Sequence, residues 1–174
     1  MKKTELRKSF DLIESDFYRE NSDTIIEIIE SEMNFVDIKA KKDIKQIKGT
    51  EGFYIILRNK YNRSNCKYKI NEFVAVYRGH ASKMRERIES HLFFDPEGSD
   101  FRNCMKISIG DDSSVNINIE TQRTYKDGKE SKQAIPRCDW RVAYVSLNKS
   151  RQGFREMFEK AFDSKYNKPD YSKK

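Results

Sequence analysis

The sequence predicts an α/β (α+β) domain: a small antiparallel sheet flanked by helices, with an N-terminal helical extension and an inserted β-hairpin. Three observations predict it. Two short apolar runs, Phe53–Leu57 and Phe73–Tyr77, lie close enough in sequence to pair as a hairpin. A helical stripe of Met84, Ile88 and Leu92 follows the second run directly. A strand at Trp140–Leu147 leads into a last helical pattern, Ser150 to Lys165, with Phe154, Phe158, Ala161 and Phe162 inside.

Taken in order, the first 38 residues read as helical. Leu6, Phe10, Ile13 and Phe17 recur at helical spacing. Asn21, Ser22 and Asp23 break that pattern and offer an N-cap for a second helix, Thr24 to Met33, carrying Ile25, Ile28 and Ile29. Residues 1–42 are therefore expected to form a helical arm, packed on the body or on a second subunit, and residues 43–174 the main domain. Residues 59–69 read as a polar turn region. In the strand Phe73–Tyr77, a period of two puts Phe73, Ala75 and Tyr77 on one face. Ser82 is placed to cap the helix that follows. Met105, Ile107 and Ile109, and then Val115, Ile117 and Ile119, alternate with polar residues around GDDSS. That is a hairpin with one apolar face, inserted within about residues 94–138. Residues 121–137 read as a polar, Lys-rich loop.

Composition narrows the class. A chain of 174 residues can bury a core without disulfides. Hydrophobic and charged residues each make up 36%, which is polar for a globular chain, but 20 Phe plus Tyr argue against disorder. No apolar run approaches the roughly 20 residues a membrane span needs, and MKKTELRKSF lacks a secretory apolar region. Cys66, Cys104 and Cys138 are odd in number and widely spaced, which suits free thiols rather than a disulfide framework or a zinc site. A cytoplasmic protein with no membrane partner is expected. Net charge is +7. Residues 1–50 hold 10 basic and 11 acidic groups, a net of −1, so the remainder carries +8. A basic body suits a polyanion partner; a generally Lys-rich surface is the plain alternative.

The chemistry-bearing residues cluster in order. Gly52-Phe53-Tyr54 opens one strand, and Tyr77-Arg78-Gly79 ends the next. Arg87 follows Gly79 by eight residues and His91 comes four later, one helical turn on and on the same face. In FREMFEKAFDSKYNKPDY, Glu159 precedes Tyr166 by seven residues, with Asn167 and Pro169 after it. These blocks, over roughly residues 50–92 and 140–171, resemble the GIY-YIG nucleases. The middle letter of the second motif departs from that pattern, being Arg78 rather than an aliphatic residue. The loop between the two motif tyrosines is longer than in the shortest members, and the span between His91 and Glu159 holds the extra hairpin.

The resemblance implies a metal-dependent phosphodiesterase. Arg87 would stabilise the anionic transition state, since a guanidinium never deprotonates and forks onto phosphate oxygens. Glu159 would hold one Mg²⁺, with Mn²⁺ as a substitute, because a single carboxylate suits a cation that keeps its waters. Glu156 is the alternative ligand. Tyr54 or Tyr77 would take the proton of the attacking water, helped by His91 or a nearby cation, because a free phenol titrates near pH 10. Gly52 and Gly79 are the motif glycines. His80, next to Gly79, would touch phosphate.

Each of these residues also has an ordinary reading. Arg87 alone is a solvated charge, His91 a structural histidine, Tyr54 and Tyr77 strand aromatics, and Glu156 and Glu159 outer-face charges. The inserted hairpin is either another sheet edge or a ribbon in the major groove of DNA. In the second case Lys106, Asn116 and Asn118 would face the bases, and Arg123, Lys126, Lys129 and Lys132 the phosphates. The expected function is a sequence-specific, restriction-like DNA endonuclease. The alternatives are a structure-specific nicking nuclease and a non-catalytic nucleic-acid-binding module. One site cuts one strand, so a double-strand break calls for a homodimer or two visits.

Overall fold

The structure is a computed structural model. It describes residues 3–60, 64–94, 107–108, 114–126, 129–132 and 138–172, with side chains described throughout these except in 3–14, 107–108 and 114–116. Lys106, Met105, Ile109 and Cys104 lie outside the described residues, as do the side chains of Leu6, Phe10, Ile13, Val115 and Asn116.

The central sheet has five strands: β1 (Asn34–Ile38), β2 (Gly52–Arg58), β3 (Lys69–Ile70), β4 (Phe73–Ala81) and, late in the chain, β9 (Trp140–Ser146). Their order is β1-β9-β2-β4-β3, and each pairing is antiparallel. β2 sits between β9 and β4 and is buried along its whole length, hence its nearly unbroken apolar sequence FYIIL.

Two apolar layers cover the sheet. On one face, Tyr54, Ile56, Val142 and Tyr144 pack with α2 (Met84–Leu92) and a short 3-10 helix at Lys41–Gln46. Met84, Ile88 and Leu92 are fully buried, as their spacing implies. Ser82 does not cap α2: the helix begins after Lys83 without a side-chain cap, and the Met84 amide donates to the Thr50 carbonyl instead. On the other face, Phe53, Ile55 and Leu57 pack with α3 (Gln152–Tyr166) and α1 (Lys3–Ser31). Phe158 and Phe162 sit 6.0 and 5.8 Å from the Phe53 ring, centroid to centroid.

The N-terminal region departs from its expected form. It is one helix, α1, that runs through Asn21, Ser22 and Asp23 without a break. Asn21 turns its amide back onto the Phe17 carbonyl at 2.8 Å, a bond that a helix accommodates. Ile25 and Ile29 are buried in the α3 layer, and this packing outweighs the weak helix propensity of the polar triplet. Residues 34–38 are not helical. They form β1, the outer strand beside β9, with Val36 and Ile38 buried and Asp37 bonded to Arg141 at 2.6 Å. The sheet therefore reaches back into the segment expected to be an arm.

A second, smaller sheet follows α2: β5 (Ile107–Ser108), β6 (Ser114–Asn118), β7 (Arg123–Lys126) and β8 (Lys129–Ser131). The expected hairpin is present, with Ile107 opposite Val115. The expected loop after it instead contains β7 and β8, with Thr124 buried. Backbone bonds from Phe94 to Ile117 and from Ile119 to Leu92 fasten this sheet to the end of α2. Among the described residues no helix is long and apolar enough to cross a membrane.

If α1 belongs to the core, Ile29→Ala should lower stability by about 2–5 kcal/mol in denaturant unfolding, whereas Phe17→Ala, 44% exposed, should change it by about 0.5 kcal/mol or less. A detachable arm would leave both variants at the wild-type midpoint.

Candidate active site

The two motif tyrosines share a face only because β4 carries an extra residue. Along β2 the faces alternate regularly, with Phe53, Ile55 and Leu57 on the α3 side and Tyr54 and Ile56 on the α2 side. Along β4, Phe73 and Ala75 lie on the α3 side, but Tyr77 lies on the α2 side. The register shows why: Ile56 faces Tyr77 while its neighbour Leu57 faces Ala75, so Val76 is a β-bulge. The bulge corrects the period-two reading that put Phe73, Ala75 and Tyr77 together. It carries Tyr77 and Gly79 over to Tyr54.

Gly79 then lies under both rings. A Cβ there would sit 2.8 Å from the Tyr54 hydroxyl and 3.0 Å from a Tyr77 ring carbon, so no side chain fits without displacing them. Gly52, at the start of β2, is equally constrained: a Cβ would sit 2.3 Å from the Val145 carbonyl oxygen. These are close-approach glycines.

α2 supplies the other half. His91 is fully buried, and its Nε2 lies 3.1 Å from the Tyr54 hydroxyl. Its ring is 4.5 Å from the Tyr77 ring, while the two tyrosine rings stack at 6.2 Å. Arg87, one turn earlier, is half-buried, and among the described residues no carboxylate forms an ion pair with it. Its charge and its hydrogen bonding favour the Tyr54 phenolate. They do not prevail: burial, with the charge of Tyr77 adding to it, holds the Tyr54 phenol well above its ordinary range. Burial also raises Tyr77, again with Arg87 opposing. Both phenols are neutral at physiological pH in the free protein.

Arg78 and His80 alternate to the opposite face of β4, where α3 lies. Arg78 donates from Nε and one terminal nitrogen to both oxygens of Asp163, at 2.9 and 2.6 Å. Its other terminal nitrogen donates to Glu159 Oε2 at 2.8 Å. His80 Nδ1 is 3.1 Å from Glu159 Oε1, and its Nε2 is 4.0 Å from Glu156 Oε1. Glu159 is thus across the strand from the tyrosines, yet its charge still raises both phenols. β4 separates the two groups, and along most of its outer side it has no partner strand. There β3 pairs only with Phe73 and Val74, and the chain end bonds to Val76 and Arg78 through Tyr171 and Ser172.

Glu159 is the hard oxygen donor of the cluster. Its Oε2 accepts from Arg78, and its Oε1 lies 3.1 Å from His80 Nδ1 without hydrogen-bond geometry. Among the described residues no group of three His, Cys, Asp or Glu gathers as a metal cage. This donor set suits a cation that keeps most of its waters, as Mg²⁺ does, and not a dedicated protein cage.

The expected base-reading ribbon is only partly gathered. Arg123, Lys126, Lys129 and Lys132 are exposed, with Arg123 facing Glu130 at 3.6 Å. Asn118 turns its side-chain oxygen to the amides of Glu120 and Thr121, where it closes a turn rather than reaching outward. The sequence reading gave no role to Asp163 and treated Arg78 only as a departure from the motif. The signal was present: a charged residue ends an apolar strand, and Glu159 and Asp163 stand one helical turn apart.

No family model, no curated protein and no solved structure matches the chain.

Proposed function

We propose that the chain is a nuclease that hydrolyses phosphodiester bonds in DNA, with Arg87 as its phosphate-binding cation. One observation carries this reading: a half-buried guanidinium, without an ion-pair partner among the described residues, stands beside two buried phenols and an imidazole. A half-buried guanidinium without a counterion can take an anion from solvent, and a phosphate oxygen supplies one. The resemblance of the motif blocks to GIY-YIG nucleases supports the same assignment.

In this mechanism Arg87 grips a non-bridging phosphate oxygen and stabilises the extra negative charge of the transition state. The attacking water loses its proton to the Tyr54 oxygen as Tyr54 passes its own proton to His91 Nε2, 3.1 Å away. The relay uses the tautomer in which His91 Nε2 accepts from the Tyr54 hydroxyl. Tyr77 packs against His91 and holds its ring. Glu159 is the residue that would hold Mg²⁺ or Mn²⁺, which supplies charge neutralisation at the leaving oxygen when bound. Arg78 orients that carboxylate, and His80 stands beside it. The exposed cations of β7 and β8 extend the contact along the DNA backbone. A single such site cuts one strand, so double-strand cleavage takes either a pair of chains or two successive visits.

Supercoiled plasmid incubated with Mg²⁺ should be cleaved, and Arg87→Ala should slow cleavage by about 10²–10³; an undiminished rate would remove Arg87 from the chemistry. Discrete fragments would indicate a sequence-specific enzyme, and accumulation of open circles a nicking one.

The pH profile tests the relay. A preformed phenolate would become tenfold more abundant with each pH unit until its raised pKa, so the rate would still climb past about pH 9. A relay through His91 draws on no standing phenolate, so its rate does not climb with pH through that range and the profile levels off. The levelled profile is expected, with Tyr54→Phe strongly impaired across it; a continuing climb would favour the phenolate.

Replacing Arg123, Lys126, Lys129 and Lys132 with Glu should flatten the plot of log Kd for DNA against log salt by roughly 0.9 per lost phosphate contact. An unchanged slope would exclude the ribbon from the interface.

A further inference from the structure

The residue that departs from the motif pattern lies at the centre of a three-bond charge network between β4 and α3. Arg78 forks onto Asp163 through two bonds and onto Glu159 through a third. The three side chains are 12%, 23% and 19% exposed, so water screens them little. Glu159 and Asp163 occupy one face of α3, one turn apart, with their charges directed at the same guanidinium. The network sums to one negative charge: two carboxylates and one cation.

We infer that Arg78 is a positioning residue for Glu159, and that it holds down the affinity of that carboxylate for a divalent cation. This rests on the nuclease reading for the role of Glu159 as the metal contact. The planar fork fixes Arg78 against Asp163, and the remaining nitrogen pins Glu159 Oε2. Oε1 is thereby held toward His80 and the edge of β4. A permanent positive charge 2.8 Å from the same carboxylate repels a second cation. The free protein therefore binds divalent metal weakly. Tight binding waits for the phosphate, whose oxygens add the missing negative charge and complete the coordination. An aliphatic residue at position 78 would leave Glu159 and Asp163 without a counterion, and a metal would take its place.

Manganese binding to the purified full chain, without DNA, tests this directly by electron paramagnetic resonance of free Mn²⁺. Arg78→Met, which keeps the length and removes the charge, should tighten binding by about tenfold or more, since affinity follows the charge of the ligand set. Arg78→Met combined with Glu159→Gln should abolish that gain. Arg78→Lys keeps a positive charge without the fork and should stay weak. Asp163→Asn leaves Arg78 balanced by Glu159 alone and should weaken binding further, a change of opposite sign that a general loosening of the fold would not produce. A folded Arg78→Met with wild-type or weaker affinity overturns the inference, as does a gain that survives Glu159→Gln. If Arg78→Met fails to fold by circular dichroism, Arg78→Gln, which also removes the charge, decides: tighter binding supports the inference, and unchanged or weaker binding overturns it. Plasmid cleavage by the wild type, measured separately, distinguishes failure of the nuclease reading from failure of this one.

Discussion

The candidate site depends on one extra residue in a strand. Without the bulge at Val76, the alternation that begins at Phe73 would send Tyr77 and Gly79 to the α3 side. Tyr54 would then have no glycine beneath its ring, and His91 no second aromatic against it. The bulge also inverts the neighbours of these residues. Arg78 and His80, which strict alternation would place among the tyrosines, instead meet the acids of α3. A single local irregularity thus sorts the polar residues of β4 into two groups, one on each side of the sheet.

The two groups are electrostatically unlike. On the α2 side a guanidinium stands among neutral phenols, which burial keeps protonated, and no carboxylate among the described residues pairs with it. On the α3 side an arginine is matched by two carboxylates, and the balance is negative. A phosphodiester needs a cation for its anionic oxygens and, in metal-dependent hydrolysis, an anion for the metal. The α2 side holds the first kind of group, Arg87, and the α3 side the second, Glu159. Buried ion pairs are weak sources of stability, because desolvation offsets much of their attraction. A three-bond arginine network at the junction of β4 and α3 is therefore better explained by the geometry it imposes on Glu159 than by the energy it contributes.

The core carries the stability. β2, flanked on both sides and covered on both faces, is the strand around which the other elements assemble. α1 contributes to the same layer through Ile25 and Ile29, and Lys165 and Tyr166 of α3 both reach Glu30 on α1. The N-terminal helix is thus joined to the body by apolar packing and by polar contacts at its rim.

Much of the fold was legible because it rests on local patterns. The strands at 53–57 and 140–147, the stripe Met84–Ile88–Leu92 and the last helix with its phenylalanines all follow from side-chain period and burial, which neighbouring residues encode. The spacing of Arg87 and His91 likewise determined that they share a helical face. The errors arose where distant contacts overrule local preference. Asn21-Ser22-Asp23 favours a break, but α3 holds the helix intact. Asn34–Ile38 is a strand because β9, more than 100 residues later, offers its edge. The Val76 bulge is invisible to any count of two, because it exists only in the register against β2. By itself the sequence determined where most of the strands and helices lie and that Arg87 and His91 share a helical face. Only the tertiary structure decided which face each side chain reaches and which charge it meets, because strand register and helix docking are settled by contacts between segments far apart in the chain.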